Sequence, residues 1–276
     1  MKELFITKKS GEVELFSFEK LKKSLQKSGA TTEEINTIIE GIKPRLYDGI
    51  STKKIYKKAF SFLKKNNPTI ASKYGLKRAL FELGPTGYPF ERLVGALLKQ
   101  KGYTTKVGVI LQGECVTHEI DVLAEKDGNT YAIECKFHSK ASFSSNVKTP
   151  LYINSRFRDI QKQWNKNPKN KTYLKQGWLV TNTKFTIDAI KYAECIGLRL
   201  LSWDYPKNNG IAKNIDHFGL YPITTLTSLS KLEKEQIIEN DIILMNELQE
   251  TPAILYKIGI SSNRIKKILS EVDKLI

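Results

Sequence analysis

The sequence predicts an α/β chain, α+β overall, in three parts: a β-hairpin followed by helices, a central sheet flanked by helices, and a small helical tail. Three observations predict it. Apolar residues first alternate around a KKSG turn and then recur at helical spacing. Strand-like runs and helices then interleave, which is the order of an α/β sheet. Breaks rich in Pro and Gly fall at LGPTGYP, residues 83 to 89, and at YPKNNG, residues 205 to 210. They divide the chain into 1–83, 84–205 and 206–276.

In the first part, residues 3 to 16 alternate apolar and polar side chains, the pattern of a half-exposed hairpin. Ser17 is placed to cap the helix FEKLKKSLQKSG, with Gly29 at its end. TTEEINTIIEGI and STKKIYKKAFSFLKK follow at helical spacing, then a further helix through Tyr74 and Arg78. The central part starts with the helix FERLVGALLKQKG. The strand-like runs KVGVILQ, THEIDVLAE and NTYAIECKF come next, then a basic helix near 151 to 166, GWLVTN, a helix from Thr186, and LRLLSW. In the tail, KEQIIENDIILMNEL and SSNRIKKILSEVDKL each read as one amphipathic helix.

Forty-five Lys and Arg against twenty-nine Asp and Glu leave a formal net charge of +16, which favours a polyanionic partner. Nucleic acid is the first candidate; a merely soluble basic protein or a membrane-surface binder is the other reading. The apolar runs fall short of a transmembrane span and the charged start has no signal-peptide core, so a cytoplasmic location is expected. Cys115, Cys135 and Cys195 lack CxxC spacing, and His118, His138 and His217 are scattered; neither a zinc ribbon nor a disulfide framework is indicated. No GxxxxGK[ST] motif is present, which argues against an ATP-driven motor.

Against that positive balance, HEIDVLAEKDGNTYAIECKFH gathers acids. Strand alternation puts Glu134 and Lys136 on one face and Ile133, Cys135 and Phe137 on the other. Glu119 and Asp121 share a face of the preceding strand, and the Asp-Gly turn between the runs lets Asp121 lie beside Glu134. Two carboxylates about 4 Å apart repel by roughly 4 kcal/mol at an effective dielectric near 20, a conflict resolved by a divalent cation or a raised pKa. Oxygen donors suit Mg2+ or Mn2+, and Lys136 could stabilise charge on a phosphate. The same residues also fit a surface hairpin in which Lys136 pairs with Glu134 or Asp121.

Asp121 followed by Glu134-Cys135-Lys136 resembles the D…(D/E)xK core of the PD-(D/E)xK nuclease superfamily. GYPFERLVGALLKQKGY with HEIDVLAE and YAIECKFH is similar to its Mrr-like restriction endonuclease branch, over about residues 87 to 205. LVTNTKFTIDAIKYAECIGLRLLSW resembles the βαβ segment that completes that fold. The resemblance implies Asp121 and Glu134 as metal ligands, Lys136 as the catalytic lysine and Glu91 as an acid joining the site. A carboxylate in the first turn of a helix, as Glu91 is, is also stabilised by the macrodipole alone. The position before Asp121 is Ile120 rather than the family's proline. Glu119 is an exposed strand residue or an auxiliary acid, and His138 a rim residue or phosphate contact.

NSRFRDIQKQWNKNPKNK carries Arg156, Arg158, Lys162, Lys166, Lys169 and Lys171 with Phe157 and Trp164 between them. It reads either as a phosphate-contacting surface or as a solvated face over buried aromatics. Gln161 could face the site.

ITKKSGEVELFSFEKLKKSL resembles the ATP-cone, a regulatory nucleotide-binding domain, through about residue 82. That implies ATP or dATP as an allosteric ligand, with Lys8, Lys9, Glu14, Lys20 and Thr52 as contacts. Ser10 stands where the family has an acid. The tail stretch LYKIGISSNRIKKILSEVDKL resembles half of a helix-hairpin-helix, or is a packing or oligomerisation element. Together these imply a Mg2+-dependent endonuclease on double-stranded DNA, working in defence, nucleotide-modulated and homo-oligomeric. A non-catalytic nucleotide-sensing DNA-binding regulator and a nuclease for RNA or single strands are the alternatives.

Overall fold

The computed structural model describes residues 4–8 and 11–276. Lys9, expected as a nucleotide contact, Ser10, and the Glu3 end of the hairpin lie outside them.

The N-terminal unit pairs β1 (Phe5–Thr7) antiparallel with β2 (Val13–Leu15). Then come α1 (Phe18–Lys27) and α2 (Thr32–Ile42). Next, β3 (Ile50–Ser51) lies parallel to β1, ahead of α3 (Thr52–Asn66) and α4 (Pro68–Phe81). The caps explain the starts. Ser17 and Ser51 accept the third N–H of α1 and α3, and Thr31 with Glu34 forms a reciprocal capping box on α2. Leu25, Ile38, Ile42, Ile50 and Leu63 fill this unit's core. α4 is apolar on two sides because it lies between two cores: Ala71 and Tyr74 face the first, Leu76 and Leu80 the second.

The central unit opens with α5 (Tyr88–Gln100), so the break at 83 to 89 is shorter than expected: Pro89 sits inside the first turn, where its missing N–H costs nothing. A five-stranded sheet follows. β4 (Thr104–Gln112), β5 (Thr117–Lys126) and β6 (Asn129–Lys136) form an antiparallel meander, turned at Asp127 and Gly128, both with positive φ. After β7 (Ser144–Ser145) and α6 (Lys148–Lys166), β8 (Tyr173–Thr181) joins parallel to β6. β9 (Lys184–Phe185) pairs with β7. Then α7 (Ile187–Ile196) leads to β10 (Arg199–Leu201), parallel to β8.

α5 covers one sheet face with Phe90, Leu93, Val94, Leu97 and Leu98, all buried. At about 1.5–3 kcal/mol per large side chain, this is a principal anchor of the sheet. α6 covers the other face, and Gly177 permits its close approach: a Cβ there would lie 2.9 Å from the Phe157 ring.

The tail consists of α8 (Ile211–Phe218), α9 (Lys231–Glu239), α10 (Met245–Glu250), α11 (Ala253–Lys257) and α12 (Ser262–Val272). KEQIIENDIILMNEL is therefore two helices, not one. Asp241 takes φ +62°, and Leu244 bridges to Pro222, so Ile242 to Leu244 run as a buried extended segment. The tail shares one continuous core with the central unit, from Leu76 to Leu275. Among the described residues no helix is long and apolar enough to cross a membrane.

Candidate active site

The site forms where β6 parts from β5. The β5–β6 ladder stops at Val122↔Ile133, and two residues on, the N–H of Cys135 donates to Asp121 Oδ2 at 2.6 Å. A side-chain carboxylate thus takes the bond a strand would have supplied. On its other flank, the β4–β5 register passes over Gly108, φ +65°, between Val107↔Val122 and Val109↔Ile120, opposite Asp121. The strand is kinked there. Ile120 consequently packs with the α6-side cluster and Val122 with the α5-side one, although simple alternation puts both on one face.

Glu134 and Lys136 project from β6 at this fork, and Glu91 arrives from the first turn of α5. Gly87 leaves room for it: a Cβ there would lie 3.1 Å from Glu91 Oε1. Burial first, then Asp121, Glu119 and Glu134 push Glu91 up to about 7. Burial first, then Asp121 push Glu134 up to about 7, with Arg156 and Lys136 opposing. Asp121 is raised chiefly by burial, which the Cys135 N–H and Arg156 only partly offset. The favourable helix N-terminus is outweighed at Glu91 by desolvation and three neighbouring acids. Lys136 is exposed and forms no ion pair with Glu134 or Asp121 among the described residues, so the salt-bridged surface hairpin is not what forms.

The cation on Glu134 is Arg156. From α6 its Nη1 donates to Glu134 Oε2 at 2.7 Å and its Nη2 to the Glu119 carbonyl. The sequence places Arg156 either on a phosphate-contacting surface or on a solvated face, not against Glu134. Three other basic residues of α6 also find partners: Lys162 and Lys166 each lie 3.0 Å from Glu114, and Arg158 bonds Gln161. Phe157 is core, and Trp164 donates to the Thr172 carbonyl, so the interleaved aromatics are the helix's packing face. Gln161 donates to the Leu174 carbonyl rather than facing the site. His138 is held by Asn182, which accepts its N–H and donates to its carbonyl at 2.8 Å each, and its ring meets Ser145 at 3.1 Å. Buried Asn182 had no sequence signal beyond its place after GWLVT. Asp159 anchors the β4–β5 turn through His118 and the Cys115 N–H at 2.7 and 2.9 Å.

Among the described residues no group of three or more His, Cys, Asp and Glu is arranged as a metal site. The donor chemistry nonetheless fits a hard divalent cation. Glu91, Asp121 and Glu134 offer only oxygens, and their mutual repulsion is what such a cation relieves.

In the N-terminal unit, Glu14 binds Lys8 at 3.0 Å and Lys20 at 3.2 Å, and Lys8 also reaches Glu12 at 3.1 Å. The β1–β3 pairing of Thr7 with Ser51 carries Lys8 and Thr52 out of adjacent strands on the same side of the unit.

An uncharacterized protein of Archaeoglobus fulgidus is 37% identical over 180 residues, 65% of this chain and 98% of its own. The crystal structure of AF1548, described as a protein of unknown function, is 35% identical, with a TM-score of 0.56 over 68% of this chain and 97% of that one. The AF1548-like C-terminal family model matches residues 221–276. The chain belongs to the AF1548-like family. This AF1548-like protein also matches the restriction endonuclease model over residues 85–205, which contains the acidic fork, and the ATP cone domain over 4–80. A DNA modification-dependent restriction endonuclease, AspBHI, aligns at 14% identity and a TM-score of 0.35 over 54% of this chain and 36% of its own, too distant to bear on the site.

Proposed function

We propose that this AF1548-like protein is a divalent-metal-dependent endonuclease for double-stranded DNA, controlled by ATP or dATP at the N-terminal unit and serving in defence against foreign DNA. In this reading residues 1–83 are regulatory, 84–205 cut, and 206–276 brace the cutting unit. One observation carries it: Glu91, Asp121, Glu134 and Lys136 converge at one fork within the segment that matches the restriction endonuclease family.

Asp121 and Glu134, with Glu91, would hold Mg2+ or Mn2+, which when bound polarises a phosphodiester and activates water. The Cys135 N–H fixes Asp121 for that role. Lys136, exposed beside the acids, offers its ammonium to charge developing on the phosphate. The surplus of sixteen positive charges favours a polyanion over the rest of the surface. One such site cuts one strand, so a double-strand break calls for a homo-oligomer.

The test is cleavage of supercoiled plasmid with Mg2+ or Mn2+, with and without ATP and dATP, beside Glu134→Ala. Metal-dependent nicking that the substitution abolishes supports the reading, and a nucleotide effect links the two units. Equal activity in Asp121→Ala, Glu134→Ala and Lys136→Ala would end it. The Arg156–Glu134 ion pair favours a second reading, a nucleotide-sensing DNA binder that does not cut, because it already compensates a ligand acid. That reading expects nucleotide-dependent gel shifts and intact strands under every metal tried.

A further inference from the structure

A cavity of about 150 Å3 lies between the N-terminal unit and the tail. At roughly 30 Å3 per water it has room for about five waters, or for one phosphoryl group with part of its hydration. Its walls bring three cations from three elements: Lys64 of α3, Arg78 of α4 and Lys234 of α9. Lys64 and Lys234 reach in from opposite sides, and each donates one proton to a tail carbonyl, Thr227 and Thr224 respectively, at 2.7 Å. Two protons remain on each ammonium. Lys234 is largely buried, and burial lowers its pKa; Glu82 and Glu271 oppose that shift, and Lys64 and Arg78 add to it.

One acid, Glu82, lines the cavity and a second, Glu271, lies close by, and both already accept other hydrogen bonds. Glu82 accepts from Arg78 Nε at 2.7 Å, and Glu271 accepts Ser72 Oγ and the N–H groups of Thr227 and Ser228. Two residues of the wall, Tyr56 and Thr225, carry buried hydroxyls, Oη and Oγ1, with no hydrogen-bond partner among the described residues. Buried polar groups are almost always paired, so two unpaired donors beside three cations describe a receptor for something negative and rich in acceptors.

We propose that this cavity binds a phosphate-class oxyanion, either free orthophosphate or the phosphoryl end of a small phosphorylated ligand. Tyr56 and Thr225 donate their unpaired hydroxyls to it, and Lys64, Arg78 and Lys234 supply the charge. Because α3 and α4 form one wall and the tail the other, the bound anion ties the nucleotide-type unit to the body of the protein. The site is separate from the lysines around Glu14, and it stands whether or not the acidic fork cuts DNA.

The test is calorimetric titration of the full chain with orthophosphate and, separately, ribose 5-phosphate at constant ionic strength, with far-UV circular dichroism confirming each variant's fold. Wild type and Lys175→Ala, an exposed lysine of neither site, are expected to bind saturably and alike. Lys234→Gln should weaken binding about tenfold or more, and the near-isosteric Thr225→Val several-fold. Tighter ribose 5-phosphate assigns the site to a phosphorylated ligand, and tighter orthophosphate to the free anion. No saturable binding of either, or binding lost in Lys20→Ala but kept in Lys234→Gln and Thr225→Val, overturns the proposal.

Discussion

Arg156 Nη1 lies 2.7 Å from Glu134 Oε2, so the basic helix α6 is docked on the sheet through the very carboxylate that the nuclease reading assigns to metal. A half-buried acid that loses its partner is destabilising, because the remaining charge keeps its desolvation cost. Arg156→Met is therefore expected to destabilise the metal-free protein by about 1–3 kcal/mol. A divalent cation should recover more of that loss in the variant than it adds to wild type. Thermal unfolding with and without Ca2+ measures both. Equal melting temperatures and equal Ca2+ shifts in the two proteins would show that the pair carries no weight.

The raised acids set a pH dependence with a definite sign. Glu91 and Glu134 move from 4.5 when free to about 7 when folded. Between those values the native state holds protons that the unfolded chain has released, so stability falls as pH rises. The penalty is absent below 4.5 and complete above about 7. Metal-free wild type should lose melting temperature across this window relative to Glu134→Gln and Glu91→Gln, which cannot ionise there. Ca2+ should flatten the difference. Parallel profiles for wild type and both variants would mean the acids do not feel one another.

What could be read in the sequence follows local rules. The caps at Ser17, Thr31 and Ser51 depend on residues three apart, and the Asp127-Gly128 turn on two adjacent residues with positive φ. The Asp121–Glu134 juxtaposition follows from the register that this turn sets, which runs from Lys126↔Asn129 to Val122↔Ile133. The misses are of another kind. Arg156 reaches Glu134 across 22 residues and Asn182 reaches His138 across 44, distances over which neither periodicity nor propensity carries information. Alternation itself fails at Asp121, where the Gly108 kink sends Ile120 and Val122 to different cores. In the tail, Ile242, Ile243 and Leu244 satisfy helical spacing yet lie buried as an extended segment after the left-handed Asp241, which splits the expected single helix.

Glu14 holds two of the lysines assigned to nucleotide. If Lys8 and Lys20 bind phosphates, Glu14 competes with the ligand for both. Glu14→Gln should then tighten ATP binding several-fold, and Lys20→Ala should weaken it about tenfold. Both effects should shrink as salt rises, since these side chains are near the surface. Titration of ATP and dATP into each variant decides the matter. Weaker binding in Glu14→Gln would instead make Glu14 a direct contact to the nucleotide, and unchanged binding in Lys20→Ala would remove that lysine from the site.

Glu271 of α12 is 8% exposed and joins the two ends of the chain. Its Oε1 accepts Ser72 Oγ at 3.2 Å and the Thr227 N–H at 2.7 Å, and its Oε2 accepts the Ser228 N–H at 3.0 Å. Ser72 belongs to α4, the helix that faces both cores, so this carboxylate fixes how the N-terminal unit sits on the tail. Removing it leaves two backbone donors and a buried hydroxyl unpaired. At about 1.5–3 kcal/mol for bonds to a charged group, Glu271→Ala should lower stability by about 3 kcal/mol, or roughly 6 °C or more in melting temperature. Glu271→Gln keeps one acceptor and should fall between the two. Because the loss loosens one interface rather than either core, protease cutting between residues 83 and 88 should also speed up in Glu271→Ala. An unchanged melting temperature together with an unchanged cutting rate would show that the units are held by apolar contact alone.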